Sequence, residues 1–334
     1  MNLLGIDIGG TKTSVCIGNE RGEILTAQRI SMASVDAVES YRKRLVDVGF
    51  EVLGKAGLGV DGLDAIGISA PGPMDVKQGL LLAPPNNPGW KNVPIVEMVS
   101  RSFKAPVYLN NDANACAVAE YEFGGYGAVR DLVYLTCSTG MGGGVIANGE
   151  LIQGCTDTGG EVGHHVLDPH GPPCGCGQQG CWEAYVGGRM VAERVKAEIR
   201  ERKLTTRITE KAGGEINRID MYAIELAARD GDAYAVQVWE EFTERLAQGI
   251  GNLIMILNPQ VVVLGTMAIK GGDFYIQPIL RKLPRYAWKW PREACRVVPS
   301  ALGSRIGDLA ALAVALSGLR HAHPQQPHRL GTRH

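Results

Sequence analysis

Three cysteines and a histidine lie close together near the middle of the sequence. Cys174, Cys176 and Cys181 fall within eight positions, and His164 precedes the first of them by ten residues. Three thiolates and one imidazole complete a tetrahedral site of the closed, structural type that zinc occupies in proteins. We therefore predict one structural Zn2+ ion here, although spacing alone does not choose among the neighbouring histidines. The alternative imidazole ligands are His165 and His170.

Three carboxylates stand where they could bind or activate hydroxyl groups. Asp112 follows a predicted strand end, and from there a carboxylate can accept the proton of an attacking hydroxyl. A helix N-cap is the equally favoured interpretation, because Asp is a preferred capping residue. Glu161 and Glu183 flank the predicted metal ligands and would accept hydrogen bonds from adjacent hydroxyls of a ligand. Without the metal site they would be interpreted as solvated surface residues.

Two glycine-rich turns, residues 9–13 and 138–144, are each placed between two predicted strands. Successive backbone N–H groups in such turns form anion-binding nests. In the first turn Thr11 adds a hydroxyl donor and Lys12 a charge, and Asp7 could hold hydrated Mg2+. Neither turn matches a P-loop, and neither leads into a helix as a dinucleotide fingerprint does. One such turn could be purely structural, but two together favour a clamp on a triphosphate.

The remaining pattern indicates an α/β protein with two related halves. Strand, glycine-rich hairpin and strand occur twice, about 130 residues apart. Strands are predicted at residues 3–8, 14–17, 63–69, 106–109, 132–137, 145–147 and 260–264, from apolar β-compatible runs bounded by turn residues. Helices are predicted at 34–58, 113–121 and 304–319, and 187–257 is predicted to be mostly helical.

Composition places the chain among ordinary globular proteins. It has 334 residues, 45% hydrophobic and 21% charged, and a formal net charge of −1. This length favours two domains. The absence of a basic excess argues against nucleic acid or an anionic membrane as a partner. The first residues lack a basic stretch followed by a long apolar run, so we expect a cytoplasmic protein whose cysteines are thiols or metal ligands.

Together these residues resemble the ROK family of sugar kinases and repressors, and within it the bacterial glucokinase-type enzymes. The resemblance runs from Asp7 to about Leu316, nearly the whole chain. It rests on seven motifs in the expected order: residues 7–12 (DIGGTK), 70–73 (APGP), 85–90 (PNNPGW), 111–115 (NDANA), 139–144 (TGMGGG), 161–164 (EVGH) and 174–183 (CGCGQQGCWE). The last of these motifs is highly specific.

The resemblance implies the actin-like, hexokinase-like ATPase fold, with two α/β domains around a cleft where ATP-Mg2+ and a hexose meet. The smaller domain is expected to hold residues 1–114 and about 302–320, and the larger domain 115–301 with the zinc loop. Residues 321–334 are expected to be a disordered tail. A homodimer or homotetramer is also implied.

Roles for individual residues follow from the same resemblance. Asp112 is implied to be the general base, and His164 is chosen over His165 as the zinc ligand beside Cys174, Cys176 and Cys181. The implied sugar-binding residues are Gly72, Asn111, Asp112, Glu161, His164 and Glu183. The implied nucleotide- and phosphate-binding residues are Asp7, Gly9, Gly10, Thr11, Lys12, Thr139, Gly140, Gly142, Gly143 and Gly265.

The sequence departs from the family pattern at one place and leaves the substrate open. The family usually has Gly-Gly after the strand at 261–264, and here Gly265 is followed by Thr266, which leaves the adenosine contacts and the phosphoryl donor open. Glucose is the expected sugar, with N-acetylglucosamine, N-acetylmannosamine or another hexose as the alternative. A sugar-sensing protein is the non-enzyme alternative. The family's repressors carry a DNA-binding domain before the sugar domain, whereas here the first phosphate turn follows Asp7 directly.

Overall fold

The computed structural model describes residues 1–32, 38–84, 87 and 89–322. The strands are β1 (Leu3–Ile8), β2 (Lys12–Gly18), β3 (Ile24–Ser31), β4 (Ala65–Ala70), β5 (Met74–Asp75), β6 (Leu80–Leu81), β7 (Val107–Asn111), β8 (Leu132–Cys137), β9 (Met141–Ala147), β10 (Glu150–Leu151), β11 (Val261–Leu264) and β12 (Arg296–Pro299). The helices are α1 (Val38–Lys55), α2 (Ile95–Ser100), α3 (Asp112–Phe123), α4 (Trp182–Val186), α5 (Gly188–Arg202), α6 (Arg207–Lys211), α7 (Met221–Arg229), α8 (Ala233–Leu257), α9 (Met267–Gly271), α10 (Asp273–Lys282), α11 (Lys289–Ala294) and α12 (Ile306–Ala322).

The chain forms two compact units. The first combines Met1–Phe123 with the segment from Ser304 onward, and the second is Gly124–Gly303. The predicted domain boundary after residue 114 falls inside α3, which belongs as a whole to the first unit.

Each unit is built on a five-stranded sheet, and the two sheets share one topology. Their strand orders are β3-β2-β1-β4-β7 and β10-β9-β8-β11-β12. In both, the central strand pairs antiparallel with a hairpin partner and parallel with a strand that arrives by a crossover. The prediction of two related halves is confirmed by this shared order.

The last helix of the chain covers one face of the first sheet. α12 is rich in alanine, and its residues Leu309 to Leu316 are buried. Glycines let the helix approach the strands closely, because a Cβ at Gly5 would lie 3.1 Å from the Ala311 Cβ, and a Cβ at Gly67 would overlap the Ala311 carbonyl. The opposite face packs against α1 and α2 through buried side chains such as Tyr41 of α1 and Ile95 of α2.

The second sheet packs against the helices of its own unit. Trp182 of α4 is fully buried, and its indole N–H donates to the Arg245 carbonyl at 2.9 Å. A Cβ at Gly249 of α8 would overlap that indole ring, so the glycine is what allows the contact. This packing fixes α4, which continues directly from the cysteine-rich segment.

Several predicted elements are confirmed, but both predicted glycine turns are too long, because β2 already begins at Lys12 and β9 at Met141. The strands at 3–8 and 132–137 have the predicted bounds, and the strand predicted to end at residue 109 continues to Asn111. The glycine run was predicted to be a turn through residue 144, but β9 already begins at Met141, because Met141, Gly142 and Gly143 pair with β8. The turn is therefore only Ser138–Gly140.

Some elements had no clear sequence signal. Short ones such as β5, β6, β10 and α9 lack enough residues for a period to show. Of the predicted helix 34–58, residues 34–37 lie outside the described part, as do 323–334 of the predicted tail and 85, 86 and 88 of the PNNPGW motif. Within the described ranges, none of the helices combines the length and the apolar character that crossing a lipid bilayer requires.

Candidate active site and metal centre

The structure brings the four predicted zinc ligands together. The ligand atoms of His164, Cys174, Cys176 and Cys181 all lie within 4.8 Å of one another. The Cys174 Sγ is 3.6 Å from the His164 Nδ1, and the Cys176 Sγ is 3.7 Å from the Cys181 Sγ. A tetrahedral zinc site with Zn–S of about 2.3 Å and Zn–N of about 2.0–2.1 Å has edges of roughly 3.6 Å (S···N) and 3.8 Å (S···S). The residues therefore fit a zinc ion in both donor type and spacing.

The other two histidines are oriented elsewhere. The His165 Nδ1 lies 2.5 Å from the Val162 carbonyl oxygen, its Nε2 lies 3.4 Å from the Asn252 Nδ2, and its ring meets Trp182 edge-on. His170 is exposed, and its backbone N–H donates to the Asp168 carboxylate. Among the described residues the ligand group contains His164 alone of the three.

Tight turns shape the cysteine-rich loop. The Cys174 N–H donates to the Gln178 carbonyl at 2.8 Å, and the Gly177 N–H returns to the Cys174 carbonyl at 3.0 Å. Gly180 has φ +72°, and a Cβ there would overlap the Asp168 carbonyl. Only glycine fits such a position, because the left-handed conformation and the close backbone both exclude a side chain.

Burial works against thiolate formation unless a cation is bound. It raises the pKa of the Cys181 thiol to about 12 and raises the pKa of Cys174 above its ordinary value. A backbone hydrogen bond from Gln178 lowers the pKa of Cys176. Because a bound divalent cation deprotonates its thiol ligands, metal affinity at this site should rise with pH.

Glu183 lies between the metal ligands and the second glycine turn. Its Oε2 accepts a hydrogen bond from the Met141 backbone N–H at 2.8 Å, and its Oε1 is 4.0 Å from the Cys174 Sγ. Glu161, by contrast, is exposed, and its carbonyl accepts the His164 N–H at 3.1 Å at the start of a single 3-10 turn. Sequence spacing did not foresee the link from Glu183 to the turn.

In the first unit, a row of polar residues crosses the sheet on one face. Asp7 pairs in register with Ser14 on β2 and Ser69 on β4, and the row continues to Arg29 on β3 and Asn110 on β7. The Ser69 hydroxyl donates to the Asp7 Oδ1 at 2.9 Å. The register alone places these side chains side by side, because opposed residues in a sheet share a face.

The electrostatic surroundings of Asp7 disfavour its charge when no cation is bound. Burial is the main cause that raises its pKa, and the charge of Asp308 adds to the effect. The Ser69 hydrogen bond and the positive charges of Arg29 and Lys12 oppose it. A hard cation such as Mg2+, with or without its water shell, would favour the ionised form.

A partly buried ion pair beside Asp7 was not predicted. Arg29 donates to both carboxylate oxygens of Asp308 at 2.8 and 2.9 Å, and the Ser14 hydroxyl donates to the same carboxylate. Asp308 belongs to the first turn of α12, where a Cβ at the preceding Gly307 would overlap the Asp7 carboxylate. The available signal was a lone aspartate in an otherwise apolar helix.

The first glycine turn is held by backbone hydrogen bonds at both ends. The Gly9 N–H donates to the Lys12 carbonyl at 2.9 Å, and the Met32 N–H donates to the Thr11 carbonyl at 3.0 Å. The side chains of Thr11 and Lys12 are exposed, and Gly10 is half-buried. The turn therefore presents a hydroxyl and an ammonium group to solvent beside Asp7.

Two neighbouring side chains accept hydrogen bonds from the backbone at the start of α3. The Asn111 Oδ1 accepts the N–H groups of Ala113 at 2.9 Å and Asn114 at 3.4 Å, so Asn111 caps α3. The Asp112 side chain is exposed at the first position of the helix, and its Oδ1 accepts the Ala113 N–H at 2.8 Å. Gly72 lies alongside, because a Cβ there would be 3.4 Å from the Asn111 Nδ2.

The backbone is unusual at Gly265-Thr266, where the sequence departs from the family pattern. Thr266 has φ +45° and ψ −89°, a conformation that is strained for a β-branched residue. Its hydroxyl lies 3.1 Å from the Thr136 hydroxyl, across the paired ends of β11 and β8. A Cβ at Gly265 would overlap the Tyr134 hydroxyl, so that position requires glycine.

Known proteins match this chain over nearly its whole length. Residues 3–317 match the sequence model of the ROK family. A glucokinase from Thermotoga maritima is 32% identical over 318 residues, covering 94% of this chain and 97% of the relative. A xylose repressor from Caldicellulosiruptor bescii is 28% identical, covering 95% of this chain and 79% of the repressor. The structure of a ROK family glucokinase from Streptomyces griseus, in complex with glucose and AMPPNP, has a TM-score of 0.76 at 30% identity and covers 95% of this chain and 100% of its own.

The shared topology of the two sheets and the likeness to a solved kinase define the fold as the actin-like, hexokinase-like ATPase fold. With the family model spanning residues 3–317, the chain belongs to the ROK family.

Proposed function

We propose that the protein is an ATP-dependent hexose kinase, and specifically a glucokinase, that transfers the γ-phosphate of ATP to the sugar 6-hydroxyl. The observation that carries the proposal is the exposed Asp112 carboxylate at the start of α3, where the neighbouring Asn111 caps the helix. The kinase relatives, one of them seen with glucose and a nucleotide analogue, support the reaction class.

The reaction needs little covalent chemistry from the protein. Asp112 accepts the proton of the 6-hydroxyl while the sugar oxygen forms a bond to the γ-phosphorus and the bond to ADP breaks. Because phosphoryl transfer passes through a loose transition state, positioning and electrostatics supply most of the rate. A carboxylate of ordinary basicity suffices when the proton leaves late.

The phosphates and Mg2+ are assigned to the two glycine turns and Asp7. Mg2+ would neutralise charge on the phosphates when bound. In the first unit Asp7, Gly9, Gly10, Thr11 and Lys12 would contribute an acceptor for the hydrated ion, backbone N–H groups, a hydroxyl and an ammonium. In the second unit the corresponding residues are Thr139, Gly140, Gly142, Gly143 and Gly265.

The residues assigned to the sugar are Gly72, Asn111, Asp112, Glu161, His164 and Glu183, with Asp112 at the 6-hydroxyl. A zinc ion would hold His164 through Nδ1 and supply no Lewis-acid chemistry, because its four ligands come from protein. The Nε2 of the same ring is the atom that would meet a sugar hydroxyl.

The test is an ADP-release assay with ATP-Mg2+ and a panel of hexoses and N-acetylhexosamines. Asp112→Asn should lower kcat by about 100- to 10,000-fold, the range for loss of a general base. Asp61→Asn is the matched control, because Asp61 is also a first-unit aspartate and is 75% exposed beside Lys104. Its turnover should equal that of the wild type.

Each outcome selects one hypothesis. Turnover with glucose that is lost in Asp112→Asn supports a glucokinase with this base. Turnover with an N-acetylhexosamine alone keeps the mechanism and replaces the sugar. Sugar binding without turnover on any sugar rejects the kinase in favour of a sensor.

A further inference from the structure

The predicted metal centre and the second glycine turn are joined by a short, rigid path. Cys181 is the residue immediately before α4, and Glu183 lies in the first turn of that helix. The Glu183 carboxylate accepts the Met141 N–H at 2.8 Å, where the turn ends and β9 begins. A single residue, Trp182, therefore separates a metal ligand from the residue that hydrogen-bonds to the turn.

The contact between α4 and the turn is close. A Cβ at Gly140 would overlap the Glu183 carboxylate. A Cβ at Gly187 would lie 2.8 Å from the Glu183 carbonyl oxygen and 3.4 Å from the Gly140 Cα. Gly140 thus leaves room for the Glu183 carboxylate, and Gly187 at the end of α4 lies in van der Waals contact with the backbone of the turn.

A second set of hydrogen bonds comes from the start of α5. The Gly188 N–H donates to the Ser138 carbonyl at 2.8 Å, and the Arg189 N–H donates to the Thr139 carbonyl at 3.0 Å. The turn is thus shaped by the segment from Glu183 to Arg189, and the metal ligand Cys181 stands at the head of that segment. All of these residues belong to the second unit.

From this geometry we propose that Glu183 is a positioning residue that couples the metal centre to the nucleotide. Bound metal would fix Cys181 at the N-terminal end of α4, a helix that Trp182 already packs against α8, and Glu183 in the first turn of that helix would hold the glycine turn in the shape that receives the phosphates. The inference rests on the proposed function, because it takes the turn to be a phosphate site. Zinc and nucleotide then bind cooperatively even when no sugar is present.

The physical basis is preorganisation. α4 has only five residues, so it depends on its surroundings for a fixed position. Without metal the cysteine loop lacks the ion that would join its ligands. The glycine turn must then be ordered when the nucleotide binds, which lowers nucleotide affinity. Because linkage is reciprocal, nucleotide must strengthen zinc binding by the same factor by which zinc strengthens nucleotide binding. Couplings of this kind are typically about 5- to 150-fold.

The experiment measures zinc affinity by competition with a chromophoric chelator, at constant pH and without sugar, in the presence and absence of saturating Mg-ADP. In the wild type we expect Mg-ADP to raise zinc affinity at least fivefold. Glu183→Ala should keep zinc but lose the effect of ADP. Glu183→Gln should restore most of it, because an amide oxygen can still accept the Met141 N–H. Glu210→Gln is the control: Glu210 is also a glutamate of the second unit, its side chain is 66% exposed beside Arg207, and the ADP effect should persist.

The results separate this inference from the proposed function. If the wild type binds Mg-ADP and its zinc affinity is unchanged, the coupling is rejected and the kinase proposal stands. If Glu183→Ala keeps the full ADP effect, Glu183 is not the connecting residue and the proposal is wrong. If the wild type binds no Mg-ADP in a direct calorimetric titration, the proposed function fails together with the inference.

Discussion

Asp308→Asn tests whether the partly buried ion pair beside Asp7 stabilises the first unit. The substitution keeps the shape of the side chain and removes its charge, so Arg29 loses two charge-assisted hydrogen bonds of 2.8 and 2.9 Å. Asp308 is almost fully buried, whereas the Arg29 side chain is 45% exposed and can be hydrated once released. Loss of the repulsion between Asp308 and Asp7 offsets part of the cost.

The expected destabilisation lies between that of a surface pair and that of a fully buried pair. Surface pairs contribute about 0–1 kcal/mol and a broken buried pair costs about 3–5 kcal/mol, so we expect roughly 1–3 kcal/mol. Arg29→Met should cost a similar amount. The double variant should cost less than the sum by about 1–2 kcal/mol, because neither charge is then left without its partner.

The assay must resolve the two units, since a protein of this organisation need not unfold in one step. Hydrogen exchange with mass spectrometry, read in urea on peptides of β1–β3, reports the local free energy of opening in the first unit. Additive costs of the two single substitutions, or a cost of Asp308→Asn below about 0.5 kcal/mol, would refute the argument. Glu122→Gln is a matched control, because Glu122 pairs with Arg320 at the other end of α12.

Three further predictions concern strain, pH and the metal. Thr266→Gly should stabilise the second unit by about 0.5–1 kcal/mol. The substitution relieves roughly 1–3 kcal/mol of backbone strain, which exceeds the cost of the added entropy of the unfolded chain and of the lost hydroxyl contact. A lower melting temperature would contradict this. The pKa of Asp7 in the folded, ligand-free protein is raised above 3.8. Protonated Asp7 therefore stabilises the folded state fully below pH 3.8, and this stabilisation is lost as pH rises through the folded-state pKa. Asp7→Asn should therefore flatten the pH dependence of the urea midpoint, and an unchanged slope would count against burial as the cause. Atomic emission should find one zinc per chain in the wild type and none in Cys181→Ser; equal zinc in both would exclude this ligand set.

Local chemistry and burial made part of the fold and site predictable. The ligands from His164 to Cys181 lie within eighteen residues, so loop closure is short and residue type alone identifies the cluster. The strands at 3–8 and 132–137 are mostly apolar and lie in the middle of their sheets, where propensity and burial agree.

Other features depend on contacts between distant residues. The glycine run at 142–144 reads as a turn, but pairing with β8 makes it a strand, and Gly143 is required because a Cβ would lie 2.6 Å from Val162. Arg29 and Asp308 are 279 residues apart, so no local pattern could connect them. The link from Glu183 to Met141 is equally non-local, and it depends on a backbone N–H that carries no sequence signature.

The placement of α12 has a consequence for the synthesis of the protein. The strands of the first sheet are made early, but the helix that covers the Gly5 and Gly67 face is made only after the whole of Gly124–Gly303. At about 5–20 residues per second, that interval lasts roughly 10–40 seconds. Throughout it, the nascent chain carries an uncovered apolar sheet face while its second unit can already fold. The first unit thus closes last, and the newly made chain depends on chaperones most before its final helix leaves the ribosome.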